Sequence, residues 1–168
     1  MSRGFVKEED QEEAPIIPPR AALPEGVTNY VTPNGMKELL AEKEELEKAR
    51  ADLEIENETE KRRVQAVIDG KMQLLAERIA SARALDPKDQ NQEEVRFGAK
   101  ITYEVLGPGK KAENFIQIVG VDEADVKKNK IAFVAPLARA FTGKKEGETA
   151  EFQIGKELRK FKIKKIEY

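Results

Sequence analysis

Residues 32–86 read TPNGMKELLAEKEELEKARADLEIENETEKRRVQAVIDGKMQLLAERIASARALD, and two helical periodicities separated by an acidic run decide the fold. In the second half Val64, Ile68, Met72, Leu75, Ile79 and Ala82 recur every three or four residues, as one face of a helix requires. In the first half the matching stripe is Met36, Leu39, Leu46 and Leu53, with Lys43 and Arg50 at positions where apolar residues would complete it. Facing positions of an antiparallel hairpin share a constant sum of residue numbers. Met36 with Ala82, Leu39 with Ile79 and Leu46 with Met72 obey that rule, and Leu53 with Val64 misses it by one. The spacing predicts a helical hairpin with its turn near Thr59. Asp52, Glu54, Glu56, Glu58 and Glu60 crowd that end, so the rod carries its carboxylates at the tip. If helix persists there, Asp52 and Glu56 share a face, as do Glu54 and Glu58.

The rod has readable ends. Thr32 can cap exposed amides, and Pro33 suits a first helical turn because it has no amide to satisfy. Asp86-Pro87 predicts the stop, since proline disfavours helix in the residue before it. Two such helices bury only a narrow seam, so the base should be steadied by the rest of the chain.

Before the rod, residues 1–28 combine Glu8, Glu9, Asp10, Glu12 and Glu13 with Pro15, Pro18, Pro19 and Pro24, which predicts a disordered tail. Phe5 and Ile16-Ile17 are its only candidates for docking. After Val95 the pattern changes to short strands: Phe97–Leu106, Phe115–Val121, Ile131–Val134, then a closing antiparallel pair, Ala150–Ile154 and Phe161–Ile166. Pro136–Phe141 reads as a short helix closed by Gly143. The expected units are a tail over 1–28, a hairpin over 29–87 and an α+β domain over 93–168.

Composition narrows the function. The 168 residues are 37% charged and 6% aromatic, with a formal net charge of -2, which argues against a general nucleic-acid binder. Cysteine and histidine are both absent, which excludes disulfides, thiol chemistry, Cys/His zinc sites and histidine acid–base catalysis. No apolar run reaches membrane-spanning length and the acidic N-terminal region has no signal-peptide core, so a cytoplasmic monomer is expected, away from membranes.

Several segments resemble the bacterial Gre-type transcript-cleavage elongation factors. They are Tyr30-Val31-Thr32-Pro33-Asn34-Gly35-Met36, Arg96-Phe97-Gly98-Ala99, Ile118-Val119-Gly120-Val121-Asp122-Glu123-Ala124-Asp125, Ala135-Pro136-Leu137-Ala138-Arg139-Ala140 and Ile166-Glu167-Tyr168. The resemblance covers residues 30–168. It implies an antiparallel coiled coil followed by an FKBP-like α+β domain. It also implies RNA polymerase as partner, entered through its secondary channel, with the nascent RNA 3′ end met only inside the polymerase.

At the tip the family pattern is aspartate, leucine, one variable residue, glutamate and asparagine. Here Asp52-Leu53-Glu54-Ile55-Glu56-Asn57 holds one residue more, and each arm is about one heptad, or about 10 Å, shorter than usual. On the resemblance Glu56 is the leading catalytic carboxylate, with Asp52 or Glu54 the second and Asn57 and Glu58 in support. Glu56 and Asp52 would hold a magnesium ion shared with the polymerase. Two metals suit hydrolysis of a phosphodiester, and magnesium takes one or two carboxylates besides phosphate oxygens. Asp122, Glu123, Asp125, Pro136 and Arg139 are the implied polymerase-docking residues. The expected function is stimulated cleavage of backtracked RNA, in a protein that is no enzyme alone. The alternative is a non-catalytic regulator or inhibitor bound in the same channel. The FKBP-like fold also raises prolyl isomerisation. However, Phe97, Tyr103, Phe115, Phe133, Phe141, Phe152, Phe161 and Tyr168 are assigned to packing, which leaves no aromatic pocket for a proline substrate.

Overall fold

The structure is a computed structural model that describes residues 13–109 and 112–168. The order is β1 (Asn29–Val31), α1 (Pro33–Ala51), α2 (Glu58–Ser81), β2 (Ala82–Ala84), β3 (Lys100–Leu106), β4 (Glu113–Val119), β5 (Lys130–Ala132), α3 (Pro136–Phe141), β6 (Thr149–Ile154) and β7 (Glu157–Glu167). It is an α+β molecule: a helical hairpin leads into a five-stranded sheet ordered β5-β4-β3-β7-β6.

The hairpin starts where the sequence predicts. Thr32 accepts a hydrogen bond from the Gly35 amide at 2.9 Å, and Pro33 opens α1. Leu39 and Leu75 are buried at its base, with Met36, Leu46, Ile79 and Ala82 packed around them. Its far end differs from expectation. The second helix stops at Ser81 rather than Asp86, because Ala82–Ala84 turn extended and pair in parallel with Asn29–Val31. This small ladder joins the entry and exit of the hairpin, and the Leu85 amide extends it by donating to Val31 O at 2.9 Å.

In the sheet, Ile101, Ile116, Ile118, Phe161 and Ile163 form a core with Phe141 of α3 laid across it. The closing pair β6–β7 is antiparallel, as its alternation predicts. The first sheet strand begins at Lys100, not Phe97, because Gly98 takes a left-handed φ of 88° in a turn ahead of it. Phe115, expected in the core, is 44% exposed and lies under the Lys100 ammonium, 4.7 Å from the ring centroid. Lys160 and Lys164 face water as expected, while Lys162 is half-buried.

Strands β4 and β5 pair in parallel, and parallel neighbours need a crossover. Here the crossover is the short loop through Asp122–Asp125 and a single 3-10 turn, Val126–Lys128. That loop meets the hairpin. Gly120 precedes it, and a side chain there would place Cβ 2.6 Å from the Tyr30 carbonyl oxygen. Only glycine lets β1 lie so close. Tyr30 then packs on Phe97 and Phe133, with centroids 6.1 and 5.9 Å away, so the base of the rod is steadied by the sheet domain.

Of the tail expected over 1–28, residues 1–12, with Phe5 and most of the acidic run, lie outside the described residues. Residues 13–28 carry no regular structure, yet they lie against the hairpin. Ile17 is half-buried, and a Cβ on Gly70 would come within 1.9 Å of its Cδ1. Ile16, its neighbour, is 90% exposed. Among the described residues no helix is long and apolar enough to cross a membrane.

Candidate functional site

Where the arms meet, Arg50 Nε lies 2.6 Å from Asp69 Oδ1, a pair one residue off the expected constant sum. The turn near Thr59 does not hold. α1 stops at Ala51 and α2 starts at Glu58, so Thr59 is helical and the connection is Asp52–Asn57. From the Arg50–Asp69 pair, α2 therefore overhangs the end of α1 by about 15 Å at 1.5 Å per residue. Six residues of non-helical chain can reach about 20 Å, enough to climb beside it.

Two local signals explain this tip. Asp52 caps the C-terminus of α1, its amide bonded to Lys48 O, with Lys48 and Arg50 placed where the helix dipole favours cations. Asn57 starts α2 by accepting from the Glu60 amide at 3.0 Å. The run Asn57-Glu58-Thr59-Glu60 has the sequence form of a capping box, a signal the hairpin arithmetic overlooked. Glu58 and Glu60 fall in the first turn of α2, where the dipole favours acids.

The helical pairings expected for the carboxylates are consequently corrected. Asp52, Glu54 and Glu56 are exposed while Leu53 and Ile55 between them are half-buried. The exposed acids thus alternate with partly covered apolar residues along a connection that is not helical. Asp52 and Glu56 therefore do not share a helix face, and neither do Glu54 and Glu58. Glu54 is the nearer companion of Glu56. Among the described residues no three acidic side chains converge to hold a metal ion. The row suits a cation whose remaining ligands another molecule supplies; by itself it is an open, partial donor set.

The residues expected to dock polymerase divide into two groups. Asp122 and Glu123, adjacent in the crossover loop, splay to the two arms of the hairpin. Asp122, its side chain 7% exposed, accepts from Arg78 of α2 at 3.0 Å and from Arg20 at 3.0 Å. Glu123 accepts from the Thr32 hydroxyl at 2.7 Å and from Asn34 at 3.0 Å, and meets Lys130 at 3.4 Å. Its charge sits at the N-terminus of α1, where the dipole favours it, and Gly35 leaves room, since a Cβ there would lie 3.0 Å from Oε2. Asp125 caps the 3-10 turn by accepting from the Lys127 amide.

Pro136 and Arg139, in contrast, are exposed. Arg139 lines an open cleft of about 480 Å³ together with Tyr30, Leu85, Arg96, Phe97 and Phe133. This surface is formed by hairpin base and sheet domain together. Its aromatic lining and the exposed Arg139 are chemically suited to an acidic and apolar protein segment, while Arg96 is paired with Glu94.

Residues 90–168 match the family described as transcription elongation factor, GreA/GreB, C-terminal. The GreA transcription elongation factor of Hyphomonas neptunium is 36% identical over 104 residues, which are 62% of this chain and 65% of that protein. GreA of Neisseria meningitidis serogroup B is 38% identical over 106 residues, again 62% and 65% of the two chains. The chain thus spans just under two thirds of the length of these relatives. Among solved structures, the GreA factor homolog 1 of Thermus thermophilus is 18% identical, with 84% of this chain and 100% of that one covered at a TM-score of 0.37. A GreA/GreB factor of Nitrosomonas europaea gives a TM-score of 0.41 at 18% identity, covering 84% and 99%. The likeness therefore rests on the sequence match alone. Residues 90–168 thus carry the match to the GreA/GreB bacterial transcription elongation factors, which the chain resembles over 62% of its length.

Proposed function

We propose that this protein binds RNA polymerase, inserts its hairpin into the secondary channel and regulates transcription from there. One observation carries the reading: a two-helix rod, fixed at its base to a sheet domain of Gre type, presents Asp52, Glu54 and Glu56 in a row at its tip. The Arg139 cleft is the surface assigned to docking, and an FKBP-like classification of the sheet domain belongs to the same proposal. The family resemblance and the polar tip support it.

Within that reading, regulation without catalysis is favoured. Among the described residues no three acids converge, and on the resemblance each arm falls about a heptad short of the family's usual length. Stimulated cleavage of backtracked RNA is the second reading. It is favoured by Glu56 beside Asn57, with Glu54 rather than Asp52 as companion. A magnesium ion held between Glu56 and polymerase ligands would supply charge for activating water; the protein's own contribution would be to present and orient those carboxylates. Backtracked complexes with core polymerase decide between them. The expected result is binding without added cleavage at any magnesium concentration. Cleavage that disappears on Glu56→Gln, with binding intact, would replace the first reading by the second.

A further inference from the structure

We propose that residues 13–22 form a strap that holds the hairpin at a fixed angle to the sheet domain, with Arg20 as its clasp. The observation is a closed circuit of charges and backbone. Arg20 grips Glu42 of α1 with two nitrogens, at 2.6 and 2.9 Å, while its Nε donates to Asp122 of the crossover loop at 3.0 Å. The other oxygen of Asp122 takes Arg78 of α2, and Arg78 returns to the strap by donating to the Ala21 carbonyl. Strap, both helical arms and sheet domain thus meet in one cluster of two cations and two anions. Arg20 is mostly covered, its side chain 17% exposed, and the Glu42 hydrogen bond, then the Asp122 charge, raise its already high pKa against the opposing effect of burial.

Further along, the strap is keyed into the rod by Ile17, which occupies the notch that Gly70 leaves in the middle of α2. A glycine inside a helix is unfavourable by itself, and this contact gives its position a reason. Pro15, Pro18 and Pro19 keep the strap stiff, so less chain entropy is lost on laying it down. From Ala21 beside Arg78 to Ile17 beside Gly70, the strap runs towards the tip.

The clasp acts on a lever. α2 is about 36 Å long at 1.5 Å per residue, so a play of about 10° at the base moves the tip by about 6 Å. That exceeds the roughly 4 Å between the metals of a two-metal site, and is enough to take a tip carboxylate out of reach of any fixed target. Arg20 is therefore a positioning residue for the tip, a consequence that rests on the channel-binding reading, whereas the clasp itself does not.

The absence of cysteine makes the test direct. Spin labels at Thr59→Cys on α2 and Lys156→Cys in the β6–β7 turn report the distribution of tip-to-sheet distances in the full-length free protein. A narrow distribution is expected for the labelled parent, and one about twice as wide for Arg20→Ala, with helical circular dichroism unchanged. Arg20→Lys should fall between them, because lysine cannot offer the planar fork that spans two carboxylates. Gly70→Ala, which favours the helix while expelling Ile17, should also broaden the distribution, and decides alone if Arg20→Ala does not fold. Unchanged widths in the folded variants overturn the clasp. No polymerase enters this experiment, so its failure leaves the channel-binding reading standing, and failure of that reading leaves the clasp standing.

Discussion

Asp122 and Glu123 show how two adjacent carboxylates acquire different tasks from what each faces. Glu123 is buried with three donors around it, and removing it is costly because the buried Thr32 hydroxyl and the Lys130 ammonium lose the acceptor they share with Asn34. Glu123→Ala is expected to lower stability by on the order of 3 kcal/mol in urea unfolding, against about 1 kcal/mol for Thr32→Ala as an N-cap alone. Tyr168 closes the far end of the sheet domain: its hydroxyl donates to Glu94 O at 2.5 Å and accepts from the Arg96 amide at 2.8 Å. Burial raises the pKa of Tyr168 and of Tyr103 above the usual 10.0. The folded state therefore holds these protons more tightly than the unfolded chain. The associated stability is complete below the ordinary tyrosine pKa and is lost as pH rises through the raised one. Unfolding measured from neutral pH upward should show that alkaline loss, and Tyr168→Phe should reduce it.

Among the elements, the hairpin is asymmetric because its two helices are capped at different levels. Asn57 determines where α2 begins, so Asn57→Ala should cost about 1 kcal/mol of stability, with faster amide exchange confined to residues 58–61. The Arg50–Asp69 pair is 41% and 50% exposed, so its loss should cost only a few tenths of a kcal/mol, although it marks the register. A loss of several kcal/mol on Asp69→Asn would mean that the pair bears more of the rod than its exposure allows.

Across the molecule, the crossover loop and the strap combine three pieces into one lever. Under the proposed polymerase binding, the Arg139 cleft is the docking surface to test, since Asp122 is already held by Arg20 and Arg78. Arg139→Ala should weaken retention by core polymerase about tenfold, equivalent to about 1.4 kcal/mol, while leaving thermal unfolding unchanged. Undiminished retention would move docking elsewhere on the domain.

Whatever depends on neighbours along the chain was legible in the residues alone. The 3.6-residue stripes gave the hairpin, Thr32-Pro33 its start, the alternation in β6 and β7 their pairing and Pro136–Phe141 the short helix. The segments shared with Gre factors gave the resemblance that the comparison over residues 90–168 repeats. Partners distant in sequence settled the rest, and only folding brings them together. Helix α2 ends at Ser81 because β1 competes for the next three residues, and the leader lies down because Gly70 and Asp122 offer Ile17 and Arg20 somewhere to bind. Asp122 and Glu123 face inward for the same reason. A carboxylate's chemistry is written in its residue type, but whether it holds a helix, caps a turn or waits in water depends on which donors the fold brings within 3 Å of it.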